Sequence, residues 1–156
     1  MKLTANFSLD ELVKSQVAER KGINNNPSPT QIENLKALAV NILQPIRSQF
    51  EKPVIISSAF RCAQLCLEIG SSVHSQHTAL NNAAAADFEI PGIDNKELAT
   101  WKKENLIFDQ LILEYYREGE PMSGWVHCSY STDLNRKQSL IAYRDDNNKT
   151  QYKPWN

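Results

Sequence analysis

Two hydrophobic periodicities run along this chain, and the change from one to the other divides it. Ile32, Leu35, Leu38, Ala39, Ile42, Leu43, Ile46 and Phe50 recur at three-and-four spacing, the strongest helical signal present. Thr30 and Glu33 form a capping box at its start, and Pro45 inside it predicts a kink. Upstream, Ser8 and Glu11 repeat the capping pattern and predict a first helix from there to about Arg20, stopped by Gly22. Asn24 to Pro29 is turn chemistry.

Beyond residue 52 the pattern shortens. Pro53 to Ser58 reads as a β-branched strand ending in small polar residues, and Cys62 to Ile69 as a short helix closed by Gly70. Ala85 to Ile90 predicts a strand with Asp87 and Glu89 on one face and Phe88 and Ile90 on the other. Asn95 to Glu104 is helical, and Phe108–Glu114 and Trp125–Tyr130 are two strands joined by a loop containing Gly119, Pro121 and Gly124. Leu140 to Arg144 adds an edge strand, and residues 145–156 read as a loosely held polar tail. Helices first and strands afterwards predict an α+β fold, N-terminal helices packed on a small, mainly antiparallel sheet. With no repeat and no composition break, residues 1–156 read as one domain.

Composition narrows the partners. A net charge of -1 gives no reason to expect nucleic acid or an anionic membrane surface. No apolar run approaches the ~20 residues that span a bilayer, and a monomer is expected. The first residues lack the apolar core of a signal peptide, so synthesis in a cytoplasm without export by that route is expected. The three cysteines, Cys62, Cys66 and Cys128, are an odd number and read as reduced thiols. Cys62 and Cys66 share a helix face and, with His74 and His77, would make a closed structural zinc site; the competing reading, small buried hydrophobes, is the commoner fate of free cysteine.

The chemistry concentrates in Ser75-Gln76-His77, in Asp87-Phe88-Glu89-Ile90, and in Trp125-Val126-His127. Two histidines and an aspartate suffice to hold a catalytic zinc with one open position. In order along the chain, Phe7 to Leu12, Gln44-Pro45-Ile46-Arg47, Ser57-Ser58-Ala59-Phe60-Arg61, Gly70-Ser71-Ser72 with Ser75-Gln76-His77, Phe108 to Glu114, and Gly124 to Tyr130 resemble the M15-type zinc peptidases of peptidoglycan, in their small single-domain branch. The resemblance covers roughly residues 5 to 130. It implies zinc as cofactor, a D-amino-acid-containing peptidoglycan peptide as substrate, and His77, Asp87 and His127 as metal ligands. It makes Glu114 the candidate general base, Arg61 the clamp on the substrate's oxygens, and Ser58 and Ser75 its helpers, with Trp125 as a pocket wall. Two departures stand out. Nine residues, Thr78 to Ala86, separate His77 from Asp87 where the family pattern has six, consistent with a three-residue insertion in the loop. Gly124 stands where relatives in the wider superfamily carry an acid three residues before the second histidine, which leaves that role to Glu114.

Each assignment has a plainer rival. His74 lies one helical turn before His77 and competes with it as ligand, Asp87 as an exposed strand carboxylate would bind nothing, Glu114 would merely cap a loop, and Arg61 would pair with a loop carboxylate. Strand alternation tests them. With Glu114 opposite Trp125, Ile112 faces His127, and Glu114 and His127 become diagonal neighbours about 7–8 Å apart. The reading that follows is hydrolysis of a peptide bond in peptidoglycan stems or cross-links, at the cell wall or in the periplasm, as a phage lytic or virion-associated protein. The alternative is a catalytically inactive binding or structural module, in which the longer loop has cost the metal geometry.

Overall fold

The chain opens with two short helices where the sequence pattern predicts one. In the computed structural model, which describes residues 1–156, α1 (Leu9–Val13) ends at an extended Lys14 and α2 (Gln16–Lys21) starts afresh. Ser15 makes the break: its hydroxyl accepts from the Ala18 N–H at 3.2 Å, giving the backbone a local alternative to a continuing helix. Next, α3 (Pro29–Leu38) is capped by Ser28 and Gln31, not by Thr30 and Glu33. Pro29 at the first helical position, where a missing N–H costs nothing, moves the start upstream. The break expected at Pro45 takes the form of a π-helical segment, Ala39–Leu43, that leads into α4 (Gln44–Phe50). Pro45 cannot donate to the carbonyl four residues back, and a wider turn just before it accommodates the ring.

The sheet has six strands: β1 (Ile55–Ser58), β2 (Ala83–Glu89), β3 (Gln110–Glu114), β4 (Trp125–Ser131), β5 (Gln138–Arg144) and β6 (Thr150–Pro154). Their order is β1-β2-β4-β3-β5-β6, and every neighbouring pair is antiparallel except β3 with β5. Between strands, α5 (Ala63–Glu68) follows β1 and α6 (Asn95–Asn105) follows β2. The architecture is α+β, as the order of patterns predicts.

The C-terminus corrects two expectations. Residues 145–156 are not a loose tail, and β5 is not an edge strand, because β6 pairs with it from Leu140–Pro154 to Arg144–Thr150. The Asp145 carboxylate accepts from the backbone N–H groups of Asn147 and Lys149, both at 2.9 Å, and Asn148 takes a left-handed φ of +60°, so the chain reverses tightly. The Trp155 N–H then donates to the Ser139 carbonyl at 2.9 Å.

Alternation divides the sheet into two chemically distinct faces. Ala84, Ala86, Phe88, Leu111, Leu113, Val126 and Cys128 are buried in one core with Leu35, Leu38, Ile42 and Ile46 from the helices. Cys66 and Cys128 are buried free thiols, and Cys62 is half-buried, its sulfur accepting from the Leu65 N–H at the start of α5. The opposite face of β2, β3 and β4 carries Asp87, Ile112, Glu114, Trp125 and His127, and it is this face that remains open.

A buried cation breaks the apolar rule. On α6 the buried stripe runs Asn95, Leu98, Ala99, Lys102, and the Lys102 ammonium is fully buried with no hydrogen-bond partner, 4.1 Å from the centre of the Phe88 ring. Burial pulls its pKa down from 10.5 to about 8, against the opposing pull of Cys128 and Asp87. Between these values the unfolded chain holds a proton that the native protein has released, so stability rises with pH across that window; below about pH 8 the cost of the buried charge is fully present. Lys102→Met is therefore expected to stabilise the protein at pH 7 by on the order of 2–3 kcal/mol. Urea denaturation at pH 7 and again near pH 10 checks this, since the advantage of the variant must shrink at the higher pH.

Candidate metal centre

Three elements each deliver one ligand. His77 sits on a 3₁₀ turn, Gln76–Thr78, whose first N–H groups are gathered by Ser75: its hydroxyl accepts from the His77 N–H at 3.2 Å. The His77 ring is buried, and its Nδ1–H donates to the Ala59 carbonyl at 2.7 Å, which orients the ring and turns Nε2 toward Asp87. Asp87 and His127 are direct cross-strand partners on β2 and β4. The carboxylate bridges the two rings: His127 Nδ1 lies 2.9 Å from Oδ1, and His77 Nε2 lies 3.4 Å from Oδ2.

This donor set fits a metal. Its ligand atoms all lie within 4.8 Å of one another, and tetrahedral zinc with bonds of 2.0–2.1 Å needs ligand–ligand separations of roughly 3.3 Å. Two imidazole nitrogens and one carboxylate oxygen are the ligand types such a site uses. Burial works against ionising Asp87, but hydrogen bonds from His127 and His77, together with the charge of both rings, outweigh it and hold the carboxyl well below the usual range. The aspartate is thus ionised and is not the exposed strand carboxylate of the plainer reading. His74 is exposed and lies outside the cluster, as do Cys62 and Cys66.

The long spacing between His77 and Asp87 is absorbed away from both ligands. Ala79, Asn81 and Asn82 take left-handed φ values of +54°, +55° and +62°, turning the chain within four residues. From α3, the side-chain amides of Gln31 and Asn34 donate to the carbonyls of Thr78 and Ala79, each at 2.9 Å. The rest of the extra length goes into β2, which starts at Ala83, two residues before the predicted start, and pairs Ala83 and Ala84 with Ser131 and Tyr130. All four alanines of this strand are buried; Ala84 and Ala86 join the core with Leu35 and Leu38 of α3, whereas Ala83 and Ala85 lie on the Asp87 face.

Around the centre, Glu114 is opposite Trp125 and Ile112 is opposite His127, the register that alternation predicts. Burial pushes the Glu114 pKa up, and the negative Asp87 adds to this; His127, the Trp125 indole and Arg61 pull the other way without cancelling it. Gly124, at φ +63°, is where the glycine matters: a Cβ there would sit 1.8 Å from the Glu114 carbonyl oxygen. No side chain, acidic or otherwise, fits at 124 on this backbone path. Arg61 is threaded between three partners: Nε donates to Ser58 Oγ at 2.9 Å, Nη2 to Asp87 Oδ2 at 3.3 Å, and Nη1 reaches Ser71 Oγ at 3.5 Å. Its carboxylate partner is the candidate ligand itself, not a loop residue. Ser58 stands behind Arg61, whereas Ser75 and Trp125 line the open pocket of about 490 Å³ above the cluster, along with Arg61, His77, Asp87, Glu114 and His127.

Gln110 lines the same pocket, on the face that alternation along β3 predicts, and sequence reading overlooked Gln76, Arg136 and Tyr152, which line it too. Arg136 and Tyr152 were not recoverable from alternation, because both depend on how residues 131–156 fold back along the sheet. In comparison with known proteins, a family model described as Peptidase M15 matches residues 5–129, and the chain belongs to that family. No curated protein matches it.

The geometry predicts one divalent metal ion per chain. His77→Ala and Asp87→Ala are each expected to weaken its binding by at least about 100-fold, measured by competition with a chromogenic chelator, whereas His74→Ala leaves the affinity within about twofold of wild type.

Proposed function

We propose that this member of the Peptidase M15 family is a zinc metallopeptidase that hydrolyses a peptide bond in the D-amino-acid-containing stem peptides or cross-links of peptidoglycan. The observation that carries this reading is the convergence of His77 Nε2, the Asp87 carboxylate and His127 Nδ1 beneath an open pocket that Glu114 also lines. These three residues would hold a zinc ion, and the chemistry it would supply there is that of a Lewis acid that makes water a nucleophile at neutral pH.

The remaining work falls to the chain's own side chains. Glu114, with its pKa raised, is suited to accept a proton from the attacking water and to deliver it to the departing amine. His127 and Glu114 lie on one face as diagonal cross-strand neighbours, so the proton is handled next to the ligand shell. Arg61 is pre-organised by Ser58 and Asp87 and can offer charge-assisted donors to a substrate carbonyl or terminal carboxylate. Ser75 and Trp125 contribute the walls beside the reacting bond.

With this substrate the place of action is the cell wall or periplasm, and a phage lytic or virion-associated protein fits the activity. The rival reading, an inactive binding or structural module, was motivated by the longer His77–Asp87 spacing. The turn at residues 79–82 gives it no support, since the ligands still converge.

Zinc-loaded protein is expected to release D-alanine from stem pentapeptides or to cut cross-linked muropeptides, with chelation abolishing turnover and added zinc restoring it. Glu114→Gln should lower kcat by about 10²–10⁴-fold with zinc content unchanged. Stoichiometric zinc without cleavage of either substrate, followed by chromatography and mass spectrometry, would instead identify the non-catalytic module.

A further inference from the structure

Arg136 is built into the pocket by an arrangement that a surface ion pair does not need. The Asp109 side chain is 5% exposed, whereas that of Arg136 is 52% exposed. The buried carboxylate accepts from the Arg136 backbone N–H at 3.0 Å, from Nε at 3.0 Å and from Nη2 at 2.8 Å. It also accepts from Gln76 Nε2 at 2.6 Å, which ties the arrangement to the residue preceding His77. These bonds hold the Asp109 carboxyl down at about 2. They leave Nη1 of Arg136 without a protein partner, on a side chain that lines the pocket. A guanidinium held on one edge and free on the other is pre-organised to accept an anion, because little side-chain entropy remains to be lost.

Strand register gives its distance from the chemistry. Ile112 is opposite His127, Gln110 lies one strand repeat further on, and Asp109, the holder of Arg136, adjoins Gln110. Asp109 is three positions from Ile112, roughly 10 Å along the strand, so Arg136 is reached by about two to three residues of an extended peptide running from the metal centre. Arg61, the other cation of the pocket, is engaged with Asp87 on the β1–β2 side of the centre. The segment that supplies Arg136 lies outside residues 5–129, the part that matches the family.

We infer that Arg136 binds a carboxylate carried by the substrate about two to three residues from the scissile bond, so that the preferred peptide is acidic at that position. The inference rests on the peptidase reading, and it deepens it by naming the substrate class. In a stem pentapeptide the free α-carboxylate of the γ-linked D-glutamate meets that requirement, and amidation of this group removes the charge.

The test compares the stem pentapeptide in its free-acid form with the form amidated at that glutamate. Wild type should favour the acid form in KM by about tenfold or more, the effect of one charge-assisted pair, with kcat nearly unchanged between the two. Arg136→Gln should bring the acid-to-amide ratio close to one, and Arg136→Lys should restore part of it. A ratio near one in wild type, or a ratio that survives in Arg136→Gln, overturns the assignment and leaves Arg136 as a strut for its loop. Calorimetric binding of both peptides to metal-free protein separates the two failures. If neither peptide is cut, the peptidase reading fails, and the acid-to-amide ratio of binding constants still decides for or against Arg136.

Discussion

A single buried carboxylate holds the site together. Asp87 lies between His77, His127 and Arg61, at 3.4, 2.9 and 3.3 Å, on a strand whose other residues are four alanines, Phe88 and Glu89. A charge in that position is tolerated only because each oxygen has a cationic or N–H partner. Taking the carboxylate away leaves the Arg61 guanidinium without its counter-charge and both rings without their shared partner, a defect that costs about 3–5 kcal/mol in comparable buried pairs. The elements around it are arranged to satisfy that one group: the Ala59 carbonyl turns the His77 ring, Ser58 steers the guanidinium, and β4 brings His127 into register.

Much of this was legible in the sequence because strands impose a period of two. Once Asp87 and Glu89 share a face, and Glu114 stands opposite Trp125, the side of the sheet on which His127 and Ile112 meet follows without further information. The helix of residues 30–50 was equally plain from its apolar stripe, although its start was not, since a serine–proline step two residues upstream outcompeted the expected threonine cap. What stayed hidden depends on groups distant in sequence. Asp109 and Arg136 are 27 positions apart and meet only because a loop returns along β3. The C-terminal hairpin turns on one aspartate side chain binding the backbone after it, in a stretch whose polarity resembles that of a disordered tail.

Two anchors explain how a long loop keeps the candidate ligands together. Sequence spacing measures chain length, whereas ligand geometry depends on where the chain is anchored. Amides on α3 fix the carbonyls just after His77, and β4 fixes every residue from Ala83 to Phe88. Length added between two such anchors changes the turn and the strand that joins it, and the positions of the anchored side chains are retained.

Gly124 shows how such packing limits the alternatives open to a fold. The Glu114 carbonyl occupies the volume in which any side chain at 124 would begin. An acid placed three residues before His127 and a hairpin that brings Glu114 against Trp125 are therefore mutually exclusive solutions. Passing from one to the other requires the β3–β4 connection to be rerouted before the new carboxylate can be installed, with an interval in which neither is in place. The Glu114 carboxylate of this pocket is in that sense inherited with the path of the backbone, and no single substitution moves it to position 124.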